Sequence, residues 1–280
     1  MRNISTDEVI KNIREMCIEA NHFLSPDMKK VFEKAADEET SSLGRQILGQ
    51  LKENLEIAGS DMIPICQDTG MAVVFISVGQ EVHIEGGSLT EAINEGVRQG
   101  YVDGYLRKSV VKDPIERENT KDNTPAVIHY DIVPGDKIDI TIAPKGFGSE
   151  NMSRVFMLKP ADGIEGVKEA ILKAVKDAGP NACPPMVVGV GIGGTFEKCA
   201  LLAKKALTRD LDGERPSGYV RELEDEMLEK INSLGIGPGG LGETKTALAV
   251  NVETYPTHIA GLPVAVNICC HVNRHVHRVI

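Results

Sequence analysis

Three of the six cysteines lie where an apolar segment gives way to a polar segment rich in glycine or proline, namely Cys66, Cys183 and Cys270. A thiol at such a junction is a candidate metal ligand, whereas a cysteine inside an apolar run is usually a small core residue. The separations are 117 residues (183 minus 66) and 87 residues (270 minus 183), which excludes the paired CxxC spacing of structural zinc sites. Three dispersed thiolates could hold a metal cluster with one position left for substrate, although the closely spaced ligand runs of many iron–sulfur proteins are absent.

Cys66 begins a polar pentapeptide, Cys66-Gln67-Asp68-Thr69-Gly70, between the apolar residues 62–65 and the strand-like residues 72–76. A thiol next to an amide, an acid and a glycine indicates chemistry rather than packing. The Asp-Thr-Gly triplet is also typical of the active-site turn of aspartic proteases, but those enzymes need two aspartates that share a proton. No second Asp-Thr/Ser-Gly occurs in the chain. The surroundings of Cys66 suit a ligand better than a core thiol, so Cys66 is a candidate ligand.

A glycine motif, Gly189-Val190-Gly191-Ile192-Gly193-Gly194, fits G-x-G-x-x-G and lies between an apolar strand and a helix, the context of a dinucleotide-binding turn. The segment after that helix does not form a second strand ending in an acid, because Asp210 and Asp212 lie in a polar stretch. The glycines could instead allow close packing or present backbone amides to an anion. An NAD-binding oxidoreductase domain stays open as an alternative from this motif alone.

Several cationic side chains could bind an anionic substrate. His258 lies between two strand-like runs, and with Arg107 and Lys145 it could donate hydrogen bonds to a dicarboxylate, although each alone is more often an ordinary loop or surface residue. The basic tail carries His271, His275 and His277, which suggest either a metal site or a solvated or interface segment. The remaining cysteines, Cys17, Cys199 and Cys269, are predicted to be structural.

Length and charge exclude several classes of protein. The chain has 280 residues, is 41% hydrophobic and carries a formal net charge of -10, which argues against a nucleic-acid or anionic-membrane partner. The N-terminus shows no apolar signal region and no apolar run reaches membrane-spanning length, so we expect a cytoplasmic protein. In that reducing compartment, six cysteines are thiols rather than a disulfide framework.

Periodicity predicts a mixed α/β (α+β) fold, with a helical N-terminal segment over residues 1–60 followed by small mixed β-sheets covered by helices over residues 61–280. We expect one domain. Strands are predicted at 72–78 and 81–85, followed by a helix that opens at Ser88, carries Tyr105 and Arg107, and stops near Pro114. Strands 126–132 and 137–142 flank Pro134-Gly135-Asp136 and are predicted to pair as a hairpin.

The second half continues this alternation. A helix around 164–175 ends at Gly179-Pro180, and the apolar residues 186–190 follow. Helices are predicted at 195–207 and 218–234. A loop crowded with glycines at 235–242 then leads into strand-like runs at 247–254 and 262–268, before the basic tail.

Five motifs together resemble the alpha subunit of the class I, iron–sulfur fumarases and tartrate dehydratases, and the match covers nearly the whole chain. They are the pentapeptide at 66–70, Lys145-Gly146-Phe147-Gly148-Ser149-Glu150-Asn151, Asn181-Ala182-Cys183-Pro184-Pro185, Gly191-Ile192-Gly193-Gly194-Thr195, and the segment 257–264 around His258. The resemblance implies an oxygen-labile [4Fe-4S] cluster on Cys66, Cys183 and Cys270, with one iron left open as a Lewis acid. Cys270 is preferred to Cys269 because it precedes a histidine, as the family's ligand does.

The resemblance also implies roles around the substrate. Asp68 would assist proton transfer at the hydroxyl, and Gln67, Arg107 and His258 would orient the dicarboxylate; Gly146 and Gly148 would belong to a loop beside it. The Arg107 match is by spacing only. Family members with a single fused chain carry a second domain that completes the site, so this chain is expected to act with a beta subunit in a heterotetramer or larger assembly.

The resulting hypothesis is a hydro-lyase subunit for a four-carbon dicarboxylate, with fumarate and malate as the first choice. L-Tartrate or a methylated analogue of fumarate are the alternatives in the same family. Two alternatives lie outside this family. The chain could be an NAD-binding oxidoreductase domain built on residues 189–194, or a non-catalytic metal-binding or assembly protein.

Overall fold

The computed structural model describes all 280 residues. The helices are α1 (Thr6–His22), α2 (Pro26–Glu38), α3 (Ser42–Asp61), α4 (Leu89–Asp103), α5 (Phe147–Glu150), α6 (Gly163–Ala178), α7 (Phe196–Ala206) and α8 (Tyr219–Asn232). The strands are β1 (Arg2–Ser5), β2 (Met71–Gly79), β3 (Val82–Glu85), β4 (Val127–Val133), β5 (Ile138–Lys145), β6 (Arg154–Leu158), β7 (Met186–Gly193), β8 (Ala247–Tyr255), β9 (Leu262–Cys269) and β10 (Val276–Val279). The predicted mixed α/β class is confirmed. None of the helices is both long and apolar enough to cross a membrane.

Two compact units, each built from separate stretches of chain, make up the fold. The first unit contains Met1–Ser25, Leu55–Gly146 and Arg274–Ile280, and the second contains Pro26–Asn54 and Phe147–Asn273. Residues 1–60 are mostly helical, as predicted, with α1, α2 and most of α3, and they contribute to both units. That residues 1–280 act as one domain stays a prediction.

The main sheet of the first unit has the strand order β10-β5-β2-β4. β2 pairs in parallel with β4 and antiparallel with β5, so the predicted hairpin of β4 with β5 is wrong. β2 takes the interior position because its residues Ala72, Val73, Val74 and Ile76 are buried on both faces, whereas β4 is largely exposed. The strand with the most buried side chains takes the centre of the sheet, and a turn signal between two neighbouring strands carries no information about burial.

Helix α4 begins where the capping motif predicts, since the Ser88 side chain accepts a hydrogen bond from the backbone N–H of Glu91. The predicted extension towards Pro114 is wrong. The helix ends at Asp103, where the N–H of Gly104 bonds to the carbonyl of Gly100, and Tyr105 follows with a φ of 52°. Arg107 therefore lies in a loop rather than on the helix.

The core of the first unit forms between α1, α4 and this sheet. A Cβ at Gly100 would lie 2.8 Å from the Cβ of Cys17, so the two helices pack closely at these residues. Cys17 is fully buried, and burial raises the pKa of its thiol to about 12. The prediction that Cys17 is a core residue is confirmed.

The second unit is organised around β7, which is buried along its whole length, in a sheet of order β6-β9-β7-β8. Met186, Val188 and Val190 pack in the core formed with α6 and α8. On the other face, a Cβ at Gly189 or Gly191 would lie 2.1 Å from a backbone carbonyl oxygen of α7. These glycines therefore allow α7 to lie directly on the strand, which is the close-packing alternative for the glycine motif.

The C-terminal tail is not a solvated segment. Residues Val276–Val279 form β10 and pair antiparallel with β5, and Arg274 is buried at 4% exposure. His277 remains on the surface with its Nε2 3.0 Å from a carboxylate oxygen of Asp139. The strand pairing anchors the tail in the first unit and replaces the solvated tail that the basic composition suggested.

Candidate active site

Buried polar side chains hold the pentapeptide at 66–70 in place. The Tyr101 hydroxyl donates to the carbonyl oxygens of Thr69 at 2.9 Å and Gly70 at 3.0 Å, and the Asn123 amide donates to Gly70 at 3.2 Å. Tyr101 and Asn123 are both fully buried, and burial raises the pKa of the Tyr101 phenol, which stays neutral as a donor. Each bond fixes a backbone carbonyl, so the turn is stiff.

Thr69 connects the pentapeptide to the loop that carries Arg107. Its hydroxyl accepts a hydrogen bond from the Arg107 N–H at 2.9 Å and donates to the Arg107 carbonyl at 3.2 Å. The backbone of Arg107 is thereby fixed beside the turn while its side chain is exposed. The structure thus brings Arg107 together with the pentapeptide, as the resemblance implied, by a route that helix periodicity did not indicate.

The Cys66 sulfur lies at the surface of this turn. It accepts a hydrogen bond from the N–H of Asp68 at 3.4 Å and lies 3.5 Å from the Oε1 of Gln67, whose side chain is exposed. Cys66 is half-buried. The thiol is therefore positioned by backbone yet reachable, which a metal ligand requires and a core cysteine does not show.

Glycines create the space around the Asp68 carboxylate. Its Oδ1 accepts the N–H of Gly70 at 3.0 Å, and a Cβ at Gly146 would lie 3.0 Å from Oδ2. Gly70 itself has a φ of +76°, and a Cβ there would lie 2.7 Å from the backbone of Lys145. The structure therefore brings Gly146 together with Asp68. Gly148 belongs to the second unit and has open space around it.

Strand pairing gathers the two cysteines of the second unit. Cys183 lies three residues before β7 and Cys270 lies one residue after β9, and these strands are antiparallel with Val187 opposite Cys269. The beginning of β7 and the end of β9 consequently meet at one edge of the sheet. The N–H of His271 bonds to the Cys183 carbonyl at 3.3 Å, and its Nδ1 lies 3.1 Å from the same oxygen.

The glycine-rich loop supports the Cys183 turn. Cys183 adopts a left-handed conformation with φ 52° and ψ 64°, which is uncommon outside glycine and asparagine. The carbonyl of Pro184 accepts the N–H of Gly239 at 2.9 Å, and a Cβ at Gly240 would lie 2.2 Å from the Cβ of Pro180. The crowded glycines at 235–242 are evident in the sequence, but no sequence pattern indicated that they contact the turn around Cys183.

Burial separates the six cysteines into two groups of three. Cys183 is exposed and Cys66 and Cys270 are half-buried, whereas the predicted structural cysteines are all buried. Cys269 in β9 is 5% exposed, and burial raises the pKa of the Cys199 thiol. Cys269 is the last residue of β9, whose final seven residues are all buried, whereas Cys270 follows the end of the strand. Burial thus agrees with Cys270, rather than Cys269, as the available thiol of the doublet.

His258 lies at the opposite end of the second sheet from Cys183 and Cys270. It occupies the turn between β8 and β9, where the Thr257 hydroxyl donates to the Gly194 carbonyl at 2.9 Å, just after β7 ends. At about 3.3 Å per residue, the length of β7 puts roughly 20 Å between the two ends. The structure therefore does not bring His258 together with these two cysteines within one chain.

The His258 ring has a defined protonation pattern in its neutral form. Its Nδ1 accepts the N–H of Ala260 at 3.2 Å, so the proton of the neutral ring lies on Nε2. An adjoining cavity of about 660 Å³ is lined mainly by apolar side chains, including Ile164, Val167 and Leu262. That lining suits an apolar contact rather than a dicarboxylate. Of the predicted substrate residues, only His258 lines this cavity.

The surroundings of the three candidate thiols fit an iron–sulfur cluster in their chemistry. Cys66 lies in the first unit and Cys183 and Cys270 in the second, and no three His, Cys, Asp or Glu side chains are grouped as a metal site. The three candidate ligands are nevertheless the three thiols that are not buried, and each lies on a turn fixed by hydrogen bonds or proline. Soft, accessible thiolates are the ligands that iron–sulfur clusters use.

Asn123 and Arg274 were missed by sequence reasoning. Asn123 precedes Thr124-Pro125 in an irregular loop, and Arg274 lies in the basic tail, so neither follows a helix or strand pattern. Both contact the pentapeptide only because the chain returns to it from distant positions. No local signal could have identified them.

Comparison with known proteins agrees with the motifs. Residues 10–279 match the family model described as fumarate hydratase (Fumerase). A Methanocaldococcus jannaschii protein provisionally named L(+)-tartrate dehydratase subunit alpha is 42% identical over 275 residues, covering 96% of this chain and 95% of that protein. The L(+)-tartrate dehydratase subunit alpha of Escherichia coli strain UTI89 is 34% identical over 242 residues, covering 85% of this chain and 79% of that protein. With a match over nearly its whole length, the chain belongs to the fumarate hydratase family and is a hydro-lyase.

Proposed function

We propose that this chain is the cluster-bearing alpha subunit of a hydro-lyase that interconverts fumarate and malate. The observation that carries the proposal is the construction of the 66–70 turn. One stiff turn presents the thiol of Cys66, the amide of Gln67 and the carboxylate of Asp68, and it fixes the backbone of Arg107 beside them. A dicarboxylate needs such a combination of cation, hydrogen-bond donor and proton-transfer group.

Cys66, Cys183 and Cys270 would hold a [4Fe-4S] cluster. When bound, the cluster supplies a Lewis-acid iron that makes the substrate hydroxyl a better leaving group. What supports this assignment is the accessibility of these three thiols and the burial of the other three. None of the six cysteines forms a disulfide, which fits the cytoplasmic location that we propose.

The protein groups of the turn have distinct roles in this proposal. Asp68 holds or accepts the proton at the substrate hydroxyl, and Gln67 donates from its amide. Arg107 binds a carboxylate with its exposed guanidinium. Gly146 keeps the space beside the Asp68 carboxylate open, because a side chain there would contact Oδ2.

His258 would serve the active site of another copy of the chain. It lies at the far end of the sheet that carries Cys183 and Cys270, so one chain does not supply it to its own cysteines. In its neutral form the ring donates from Nε2, which suits a carboxylate or hydroxyl of the substrate. This role requires an assembly with at least two alpha subunits, consistent with the proposed heterotetramer.

A beta subunit would complete the site. The relatives are named alpha subunits, which implies a separate partner chain in those proteins. We propose that the corresponding partner here supplies the base that removes the proton from carbon. The assembly then acts on a substrate enclosed by both chains.

Anaerobic reconstitution with iron and sulfide, in the presence of a beta-type chain, tests the ligand assignment. We expect Cys66→Ala, Cys183→Ala and Cys270→Ala each to lose more than about half of the iron per chain and nearly all hydration of fumarate. Cys269→Ala is the matched control, because it removes the adjacent buried thiol, and it should keep its iron. Retention of iron by Cys270→Ala with loss in Cys269→Ala would reverse the assignment, and a colourless wild type would reject the cluster.

L(+)-Tartrate is the second candidate substrate, favoured by the names of the relatives. Malate and L(+)-tartrate are both four-carbon dicarboxylates that lose water from a hydroxyl-bearing carbon, so the same turn could bind either substrate. Comparing kcat/KM of the reconstituted complex for fumarate, malate and L(+)-tartrate separates them. A value for tartrate at least about tenfold above that for malate would favour tartrate, and no turnover of any of the three would reject the proposed reaction.

A further inference from the structure

Arg274 is a buried cation whose hydrogen bonds reach two parts of the proposed active site. It is 4% exposed; its Nη2 donates to the carbonyl of Asp68 at 2.5 Å and its Nε donates to the carbonyl of Pro144 at 3.3 Å. Pro144 lies in β5, just before Lys145 and Gly146. One guanidinium therefore joins the turn of Asp68 to the strand end that leads into the glycine loop.

The chemical surroundings of Arg274 are unusual for a purely structural arginine. Both of its acceptors are neutral backbone carbonyls, and its Nη1 is buried without a hydrogen-bond partner. A buried cation bound only to carbonyls costs free energy relative to an apolar residue of similar size. Stability alone thus gives no reason for a charged residue at this position.

Arg278, four residues further along the same tail, shows the contrast. Its guanidinium bonds to the carboxylates of Glu15 at 2.7 Å and Glu19 at 2.8 Å on helix α1, and its ion pairs lower the pKa of Glu15. That arrangement is an ordinary ion-pair network that ties β10 to a helix. Arg274 has no such network and contacts the proposed site instead.

We propose that Arg274 is a positioning residue for Asp68. By holding the Asp68 carbonyl and the Pro144 carbonyl together, it fixes the direction of the Asp68 carboxylate and its separation from Gly146. The planar guanidinium suits this task because two of its nitrogens can bond different carbonyls in one fixed geometry, which an ammonium group cannot reproduce. The inference rests on the proposed function, since it assigns Arg274 a purpose in that same site.

The kinetic test uses the full chain reconstituted with iron and its beta-type partner. Arg274→Met removes the donors while keeping an unbranched side chain of similar length, and Arg274→Lys keeps the charge but loses the two-point geometry. We expect Arg274→Met to retain its iron and to lower kcat by about 10- to 100-fold, with KM changed by less than about threefold. Arg274→Lys should recover some of this loss. Arg278→Met is the control and should leave kcat and KM unchanged.

Hydrogen exchange of the backbone amides at 66–70 provides a readout that needs no activity. We expect exchange at least about tenfold faster in Arg274→Met than in wild type and in Arg278→Met, because the turn loses one of its anchors. Faster exchange in a chain that hydrates no diacid would keep the positioning role and reject the proposed function. Unchanged exchange together with unchanged kcat, or equal loss of kcat in Arg278→Met, would overturn the inference.

Discussion

The 66–70 turn of the first unit and the Cys183–Cys270 edge of the second are built by different means. Side chains hold the first: Tyr101, Asn123 and Arg274 donate to its carbonyls, and Thr69 connects it to Arg107. Backbone holds the second: antiparallel pairing of β7 with β9 sets its position, and a glycine-rich loop bonds to Pro184.

Because the two regions are held in place differently, they should respond to different substitutions. A turn fixed by side-chain donors should respond to the loss of one hydroxyl or amide, in steps of about 1 kcal/mol per hydrogen bond. An edge fixed by close backbone approach should tolerate side-chain changes but respond strongly to an added Cβ. Proposed metal ligands can therefore be preorganised either by polar side chains or by strand pairing.

Gly237→Ala should cause the largest loss of stability of the substitutions considered, because it disrupts the glycine-rich loop that supports the Cys183–Cys270 edge. Gly237 has a φ of +66°, and a Cβ there would lie 1.3 Å from the carbonyl oxygen of Gly242. The loop must rearrange, so we expect a loss of at least about 3 kcal/mol in the free energy of unfolding, measured by urea denaturation. Gly235→Ala is the control: it has a φ of +69° but open space, and should cost about 1 kcal/mol. Equal losses in both variants would show that the close approach is unimportant.

Tyr101→Phe tests whether side-chain hydrogen bonds hold the turn at 66–70 in place. The substitution removes the hydroxyl that bonds to Thr69 and Gly70 and keeps the ring in the core. We expect a loss of about 1–2 kcal/mol in the free energy of unfolding, since the Thr69 carbonyl loses a buried donor. Tyr105→Phe is the control, because that side chain is 91% exposed and should be neutral. A neutral Tyr101→Phe would contradict the comparison.

Asp122→Asn should give the smallest effect and a defined pH dependence. Burial alone would raise the pKa of Asp122, but hydrogen bonds from Thr124 and Arg98 lower it to about 2. Because the folded pKa lies below the unfolded value of 3.8, the carboxylate stabilises the fold above about pH 4, and this contribution is lost as pH falls from about 4 to 2.

We expect Asp122→Asn to cost about 1 kcal/mol at pH 7, with most of the difference from wild type lost by about pH 2, where the folded carboxylate is half protonated. Thermal unfolding at several pH values measures it. The exposed Asp131→Asn serves as control. A difference that persists unchanged at pH 2 would mean that ionisation of Asp122 is not the cause. Since Asp122 neighbours Asn123, this variant also measures how far the support of the first turn extends.

Most of the helices and strands could be predicted from the amino-acid sequence, because the signals for them are local. The Ser88 cap and the burial periodicity of α1 and α6 were correctly predicted. The five motifs, at 66–70, 145–151, 181–185, 191–195 and 257–264, indicated the family, since motif order and spacing are properties of the chain alone. The burial of Cys17 was also predicted correctly, because this residue lies on the apolar face of α1.

The contacts between distant segments could not be predicted from the sequence and are seen only in the folded chain. It inserted β2 between β4 and β5, placed Cys183 and Cys270 at one edge, and put His258 at the other end of that sheet. It also buried Arg274 against the carbonyl of Asp68. Strand order and buried polar contacts depend on competition among all apolar faces of the chain, and no local pattern records the outcome of that competition.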